Sequence, residues 1–127
     1  MKSHLCLCLI LAALAAMAYA QERLPSEQAC LSILQSEAGL EQKARACQQL
    51  SVVGTRQSVA ALAGLLDDER LSDYARFALE QIDDPSVDAA FREALAKVQD
   101  RRLAGVISSI GARHDAQAVR GLKKLVY

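Results

Sequence analysis

The apolar residues of this chain recur with helical spacing from residue 30 to residue 126. They fall three or four positions apart, as on one face of an α-helix, and no segment alternates with period two for long enough to predict a strand. The pattern predicts seven helices, near residues 26–36, 39–53, 58–66, 72–82, 85–97, 101–110 and 115–126. Because the connections between them are short, neighbouring helices are expected to pack antiparallel.

Residues that begin or end helices stand at several of these boundaries. Asp84 followed by Pro85 predicts a helix start, because Asp caps the first turn and proline fits the first helical position. Ser72 is the predicted cap of the helix that follows it. Gly54 and Gly111 follow apolar stripes, where a left-handed residue often ends a helix.

The helices recur in pairs of about thirty residues. Equivalent apolar residues near the ends of the second, fourth and sixth predicted helices are Leu50, Leu79 and Ile107. The valines that open the third, fifth and seventh helices are Val59, Val87 and Val119. One pair cannot bury its apolar face alone, so stacked pairs forming an α-solenoid are predicted. An ordinary helical bundle with accidental periodicity is the alternative.

Three stretches carry a resemblance to a known class of protein. They are KARACQQLSVVG at 43–54, LSDYARFAL at 71–79 and GVISSIGARHDA at 105–116. Residues 43–126 resemble bacterial exported HEAT-repeat proteins, as a short or truncated member with about three and a half helix pairs. The resemblance implies an all-α, right-handed α-solenoid of antiparallel pairs. It also implies protein binding on a concave face and no catalytic residues.

The first twenty residues are typical of a secretory signal. Lys2 precedes an apolar run from residue 5 to residue 17, and Ala18-Tyr19-Ala20 ends it. The run is shorter than the roughly 20 residues that span a membrane. We therefore expect a signal peptide at 1–20, a helical-repeat domain at 21–127 and a periplasmic or extracellular location, with no membrane span after cleavage. An uncleaved N-terminal anchor is the alternative.

Charge is unevenly distributed after residue 20. Residues 21–92 hold 7 basic and 12 acidic side chains, a net of −5, whereas residues 93–127 hold 7 basic and 3 acidic, a net of +4. The total of −1 argues against a general affinity for nucleic acid. The asymmetry favours end-to-end association or an acidic partner at the C-terminal end. Solvated helix faces are the alternative.

Two cysteines follow the signal segment, Cys30 and Cys47. The predicted first two helices place them opposite each other, each within an apolar stripe. In an oxidising compartment they form a candidate disulfide, which would stabilise the first pair by about 3 kcal/mol. Two buried free thiols are the alternative.

Two candidate binding surfaces lie near the C-terminal end. A basic set that could receive an acidic partner or anionic lipid comprises Arg101, Arg102, Arg113, Arg120, Lys123 and Lys124. An apolar set that could form an interface comprises Leu122, Leu125, Val126 and Tyr127. Solenoids usually finish with a polar capping element, so this apolar set is unusual. For the basic set, the alternative is an ordinary solvated surface. For the apolar set, the alternative is that the last helix itself caps the end of the solenoid.

No catalytic, cofactor or metal site is predicted. His114 is the only histidine after residue 20, and a catalytic histidine needs a nucleophile or metal and an orienting acid. The sequence therefore favours an exported module for protein–protein interaction. The alternatives are a small lyase-like or enzyme-accessory subunit and a structural unit that self-associates through its open C-terminal end.

Overall fold

The computed structural model describes residues 2–19 and 24–127. Within those ranges the fold is all-α, as predicted, and contains no strand. The helices are α1 Lys2–Tyr19, α2 Glu27–Gln35, α3 Leu40–Val53, α4 Arg56–Ala63, α5 Ser72–Gln81, α6 Pro85–Ala94, α7 Asp100–Ala112 and α8 Val119–Val126, with a short 3-10 helix at Ala116–Ala118. The seven helices predicted after residue 20 correspond to α2–α8.

The helices from α2 to α7 pack in two rows. Sequential partners contact each other as α2 with α3, α4 with α5 and α6 with α7. Contacts between next-but-one helices join α2, α4 and α6 into a first row and α3, α5 and α7 into a second row. The middle pair therefore packs on the first pair and on the third.

The core lies between the two rows and is formed by the predicted apolar stripes. Leu50, Leu62, Leu79 and Phe91 are fully buried there, and they come from four successive helices. Complete burial of such a side chain contributes roughly 1.5–3 kcal/mol each. Because these residues lie on stripes of different helices, the core is continuous from the first pair to the third.

The start of α6 follows the sequence prediction. Asp84 has an extended backbone, and its Oδ1 accepts a 2.9 Å hydrogen bond from the amide of Ser86. Pro85 occupies the first helical position, where a missing N–H leaves no bond unmade.

Ser72, in contrast, does not cap α5. The backbone of Leu71 is already helical, so Ser72 lies inside the helix and its hydroxyl is buried without a hydrogen-bond partner among the described residues. The carboxylate of Asp68 instead binds the turn that precedes α5. Its Oδ1 accepts 2.8 Å hydrogen bonds from the amides of Arg70 and Leu71.

The prediction of left-handed glycines was wrong at both positions. Gly54 follows α3 in an extended conformation, and a Cβ there would lie 2.3 Å from the carbonyl oxygen of Leu50. The close approach of the Leu50 carbonyl oxygen therefore explains why residue 54 is a glycine. Gly111 lies within α7, and the left-handed residue that follows the helix is His114, with φ 55°.

The N-terminal segment is described only in part. The predicted signal peptide overlaps α1, and the predicted cleavage position, Ala20, lies outside the described residues. In the ranges that the structure describes, no helix has both the length and the apolar character needed to cross a membrane.

Candidate functional site

The exposed side of the second row carries two aromatic side chains, both on α5. Phe77 is 55% exposed, and Tyr74 is exposed one turn before it. The guanidinium carbon of Arg76 lies 4.7 Å from the centroid of the Phe77 ring. Val52, on α3, is also exposed on this row. We refer to Val52, Tyr74 and Phe77 as the second-row surface.

The positions of the aromatics follow from helical phase. The buried stripe of α5 includes Ala75, Ala78 and Leu79, and Tyr74 and Phe77 fall between its members. They therefore point away from the core. Burial of an aromatic side chain is strongly favourable, so two exposed ones on the same helix are typical of a contact surface. Tyr74 and Phe77 were not among the residues predicted to form a binding surface, although their phase relative to the stripe can be read from the sequence.

A shallow groove lies beside Tyr74, between α3 and α5. It has a volume of about 420 Å³. Its other walls are formed by Leu40, Ala44, Gln48 and neighbouring polar side chains. An aromatic ring at the edge of a partly apolar groove suits a protein side chain or a short peptide segment.

A polar network behind the second-row surface joins α5 to α7. Nη1 of Arg76 donates to Oε1 of Glu80 at 3.2 Å and to Oγ of Ser109 at 3.1 Å. The Ser109 hydroxyl, which is fully buried, donates to the same Glu80 oxygen at 2.5 Å. The network holds Arg76 in place, and so orients the cation that lies against the Phe77 ring.

The predicted basic set is divided by the structure into two groups. Nη1 of Arg101 lies 2.7 Å from Oδ2 of Asp73, and Nε of Arg102 lies 3.3 Å from Oδ1 of Asp67. Both arginines therefore bind acids of the preceding helix pair. Arg120, Lys123 and Lys124 form the second group and project into solvent from α8.

Arg113 is also engaged by residues of its own chain. Its Nε donates to Oδ1 of Asp88 at 2.6 Å, and its Nη1 donates to the carbonyls of Glu80 and Ile82 at 3.2 and 3.0 Å. These carbonyls lie at the end of α5, where a helix lacks internal donors. The hydrogen bond to Asp88 raises the pKa of the guanidinium. Arg113 therefore joins three helices and has little capacity left for a partner.

The two cysteines both lie in the core of the first pair, Cys30 on α2 and Cys47 on α3. Both are fully buried, and both are free thiols in this structure. Burial raises the pKa of Cys47 to about 11, and the negative charge of an ionised Cys30 would add to that effect. Burial also raises the pKa of Cys30. The disulfide stays a prediction.

The predicted apolar set lies at α8, and its exposure differs from that of the equivalent residues in α4 and in the turn that follows α4. Val59 is 5% exposed and its equivalent, Val119, is 49% exposed. Leu66 is 2% exposed and its equivalent, Val126, is 77% exposed. Helix α4 packs against α2, α5 and α6, whereas α8 packs mainly against the short 3-10 helix that precedes it.

The other three residues of the predicted apolar set differ in how exposed their side chains are. Leu122 packs against the core, Leu125 is partly exposed and Tyr127 is fully exposed. We refer to Val119, Leu125 and Val126 as the α8 ridge.

No cluster of three or more potential metal ligands occurs in the part of the chain that the structure describes. His114 is exposed at the end of α7, at a backbone position with positive φ. Comparison with known proteins identified no relative: no protein-family model, curated protein or solved structure matches this chain.

Proposed function

We propose that this chain is an exported, right-handed α-solenoid of the HEAT type that binds a partner protein through its second-row surface. The packing of next-but-one helices into two rows supports the solenoid arrangement. The apolar segment that ends in Ala18-Tyr19-Ala20 supports export.

Polar contacts at the repeat distance also support the solenoid. Glu27 binds Thr55, 28 residues later, and Asp73 binds Arg101, also 28 residues later. Contacts of this kind join a helix to the corresponding part of the next pair. They stabilise neighbours only, as expected for an array whose units contact the adjacent units.

The observation that carries the binding proposal is the exposure of Phe77 beside Tyr74. Exposed aromatics on a rigid helix bind at little conformational cost, because they have few rotatable bonds. The Arg76–Glu80–Ser109 network supports that rigidity. No comparable observation favours the lyase-like or enzyme-accessory alternative.

The test is affinity capture from the exported fraction of the source cells, with the partner identified by mass spectrometry. The bait variants are wild type, the double variant Tyr74→Ser/Phe77→Ser, and the control Val126→Ser, which removes an exposed apolar side chain from α8 instead. We expect one protein to be captured by wild type and by the control, and to be lost with the double variant. Equal capture by all three baits, or no capture by any, would contradict the proposal.

A further inference from the structure

A glycine in the middle of α7 provides the space in which the Arg76 guanidinium lies. We propose that Gly105 is a positioning residue of the second-row surface: it lets Arg76 lie against Phe77 and so fixes the orientation in which that ring is presented to a partner. The proposal rests on the binding function proposed for the surface. It adds to that function a residue of a neighbouring helix, which acts through Arg76.

The backbone of α7 does not require a glycine at position 105. Gly105 lies inside the helix Asp100–Ala112, and none of the glycines in the described part of the chain has a positive φ. Alanine is the more favourable residue inside a helix, because glycine loses more conformational freedom on folding. The surroundings of the residue, and not its own conformation, therefore explain the glycine.

The space beside Gly105 is occupied by the side chain of Arg76, from α5. A Cβ at position 105 would lie 2.8 Å from Nε of Arg76, 3.3 Å from Cδ and 3.4 Å from Cζ. The first distance is well below the roughly 3.5–4.0 Å at which non-bonded heavy atoms attract each other. An alanine at this position would therefore force the guanidinium to move.

The guanidinium cannot move without losing its partners on α5 and α7. Nη1 of Arg76 donates to Oε1 of Glu80 at 3.2 Å and to Oγ of Ser109 at 3.1 Å. Nη2 lies 3.5 Å from Oδ1 of Asp73. The Arg76 side chain is only 14% exposed, so water could replace these contacts only in part. Arg76 therefore has one well-defined position, and that position requires a glycine at 105.

This position of the guanidinium restrains the ring of Phe77. Cζ of Arg76 lies over the ring, 4.7 Å from its centroid, where a cation is attracted to an aromatic face. Phe77 is largely exposed and is not part of the core cluster, so core packing does not fix its orientation. Displacement of the guanidinium would remove the restraint and increase the conformational entropy that the ring loses when a partner binds.

Gly111 provides a matched control in the same helix. It also lies inside α7, but a Cβ at position 111 would have no neighbouring atom within 4 Å. Gly105→Ala and Gly111→Ala therefore add the same methyl group and the same gain in helix propensity. Only Gly105→Ala brings that methyl group against Arg76.

The contact is tested by NMR spectroscopy and thermal unfolding of protein purified from cells that express the whole 127-residue chain. The side-chain protons of Arg76 should resonate upfield in wild type, because they lie over the face of an aromatic ring. Gly111→Ala should keep this upfield shift and raise the melting temperature, whereas Gly105→Ala should lose the shift.

A double variant shows whether Gly105 acts through Arg76. In an Arg76→Gln background, Gly105→Ala should raise the melting temperature as Gly111→Ala does, because the obstructing guanidinium is absent. If Gly105→Ala alone did not fold, recovery of folding in Arg76→Gln/Gly105→Ala would show the same dependence. A double variant that melted lower than Arg76→Gln would contradict it.

The effect on binding is measured by titrating each bait of the capture experiment into the exported fraction, which serves as the probe. Gly105→Ala should raise the bait concentration that gives half-maximal capture by about two- to fivefold, the loss expected for an exposed cation–π contact. Gly111→Ala and the α8 ridge variant Val126→Ser should leave that concentration unchanged.

The outcomes separate this proposal from the function on which it rests. Arg76 protons that stay upfield in Gly105→Ala would overturn the proposal, whatever the capture result. A lost upfield shift with unchanged capture would also overturn it, while the proposed function would still stand on the loss of capture by Tyr74→Ser/Phe77→Ser. If wild type captured nothing, the proposed function would fail, and the role of Gly105 in binding would fail with it.

Discussion

The carboxylate of Glu27, on α2, accepts a 2.6 Å hydrogen bond from the hydroxyl of Ser58, on α4. The same carboxylate oxygen accepts a 2.7 Å bond from the amide of Thr55, the residue that caps α4. The hydrogen bond from Ser58 is the main cause of a pKa of Glu27 below its ordinary value of 4.5. One acid therefore joins the first pair to the second and completes the start of α4.

The first prediction concerns the pH dependence of this contact. Because the pKa of Glu27 is lower in the folded chain than in the unfolded chain, its stabilisation is fully present above about pH 4.5 and is lost as pH falls through the folded pKa. Glu27→Gln should lower the free energy of unfolding by about 1–3 kcal/mol at pH 7 and by less in acid. Urea unfolding at neutral and acidic pH measures both values.

Glu41→Gln is the control for that experiment. Glu41 pairs with Arg45 on the surface, and both side chains are more than 70% exposed. Its substitution should change the free energy of unfolding by less than about 1 kcal/mol at either pH. If Glu27→Gln behaved like this control, the contact between α2 and α4 would not stabilise the protein.

The second prediction concerns Arg113. Its truncation to alanine would leave Asp88 and the carbonyls at the end of α5 without their donor. We expect a loss of about 2–4 kcal/mol in the free energy of unfolding, measured by denaturant titration. Arg113→Lys should recover only part of it, because an ammonium group cannot reproduce the planar set of donors. Arg120→Ala, at an exposed position on α8, should have an effect within about 0.5 kcal/mol.

The third prediction concerns the end of α7. The amide of His114 donates to the carbonyl of Gly111 at 3.0 Å, and the amide of Asp115 donates to that of Ile110 at 3.3 Å. This pattern requires a left-handed residue at position 114, where glycine is usual. His114→Gly should therefore raise the free energy of unfolding by about 1 kcal/mol.

A glycine placed two residues earlier provides the matched comparison for His114. Ala112 is the last residue of α7, and Ala112→Gly should lower the free energy of unfolding, by up to about 1 kcal/mol. Thermal melts of the two variants should therefore shift in opposite directions. A decrease in melting temperature for His114→Gly would show that the histidine side chain contributes more than its backbone strain removes.

The fourth prediction concerns Cys30 and Cys47. As free thiols, both should react slowly with an alkylating reagent in the folded protein, because they are buried and the pKa of Cys47 is about 11. If the predicted disulfide forms in the exported protein, neither should react even in denaturant until a reductant is added. Mass spectrometry counts the alkylated sites. Alkylation of both sites in denaturant alone would show that the exported protein keeps them as thiols.

The sequence by itself determined the helices and the positions that form the core. Apolar residues at three- and four-residue spacing can be buried together only on one side of a helix, so Leu50, Leu62 and Leu79 were assigned correctly before any coordinates. The start of α6 at Asp84-Pro85 was also predicted correctly. Capping by aspartate and the preference of proline for the first helical position depend only on residues that are adjacent in the chain.

The tertiary structure decided what each exposed position contacts. Arg113 and Arg120 are indistinguishable as basic residues in the sequence, but only Arg113 reaches Asp88 and the end of α5. Val59 and Val119 are identical side chains at equivalent positions, but Val59 is buried in a helix that packs against three others and Val119 is exposed. Helical spacing is a property of neighbours along the chain, whereas pairing and exposure depend on residues that folding brings from a distance.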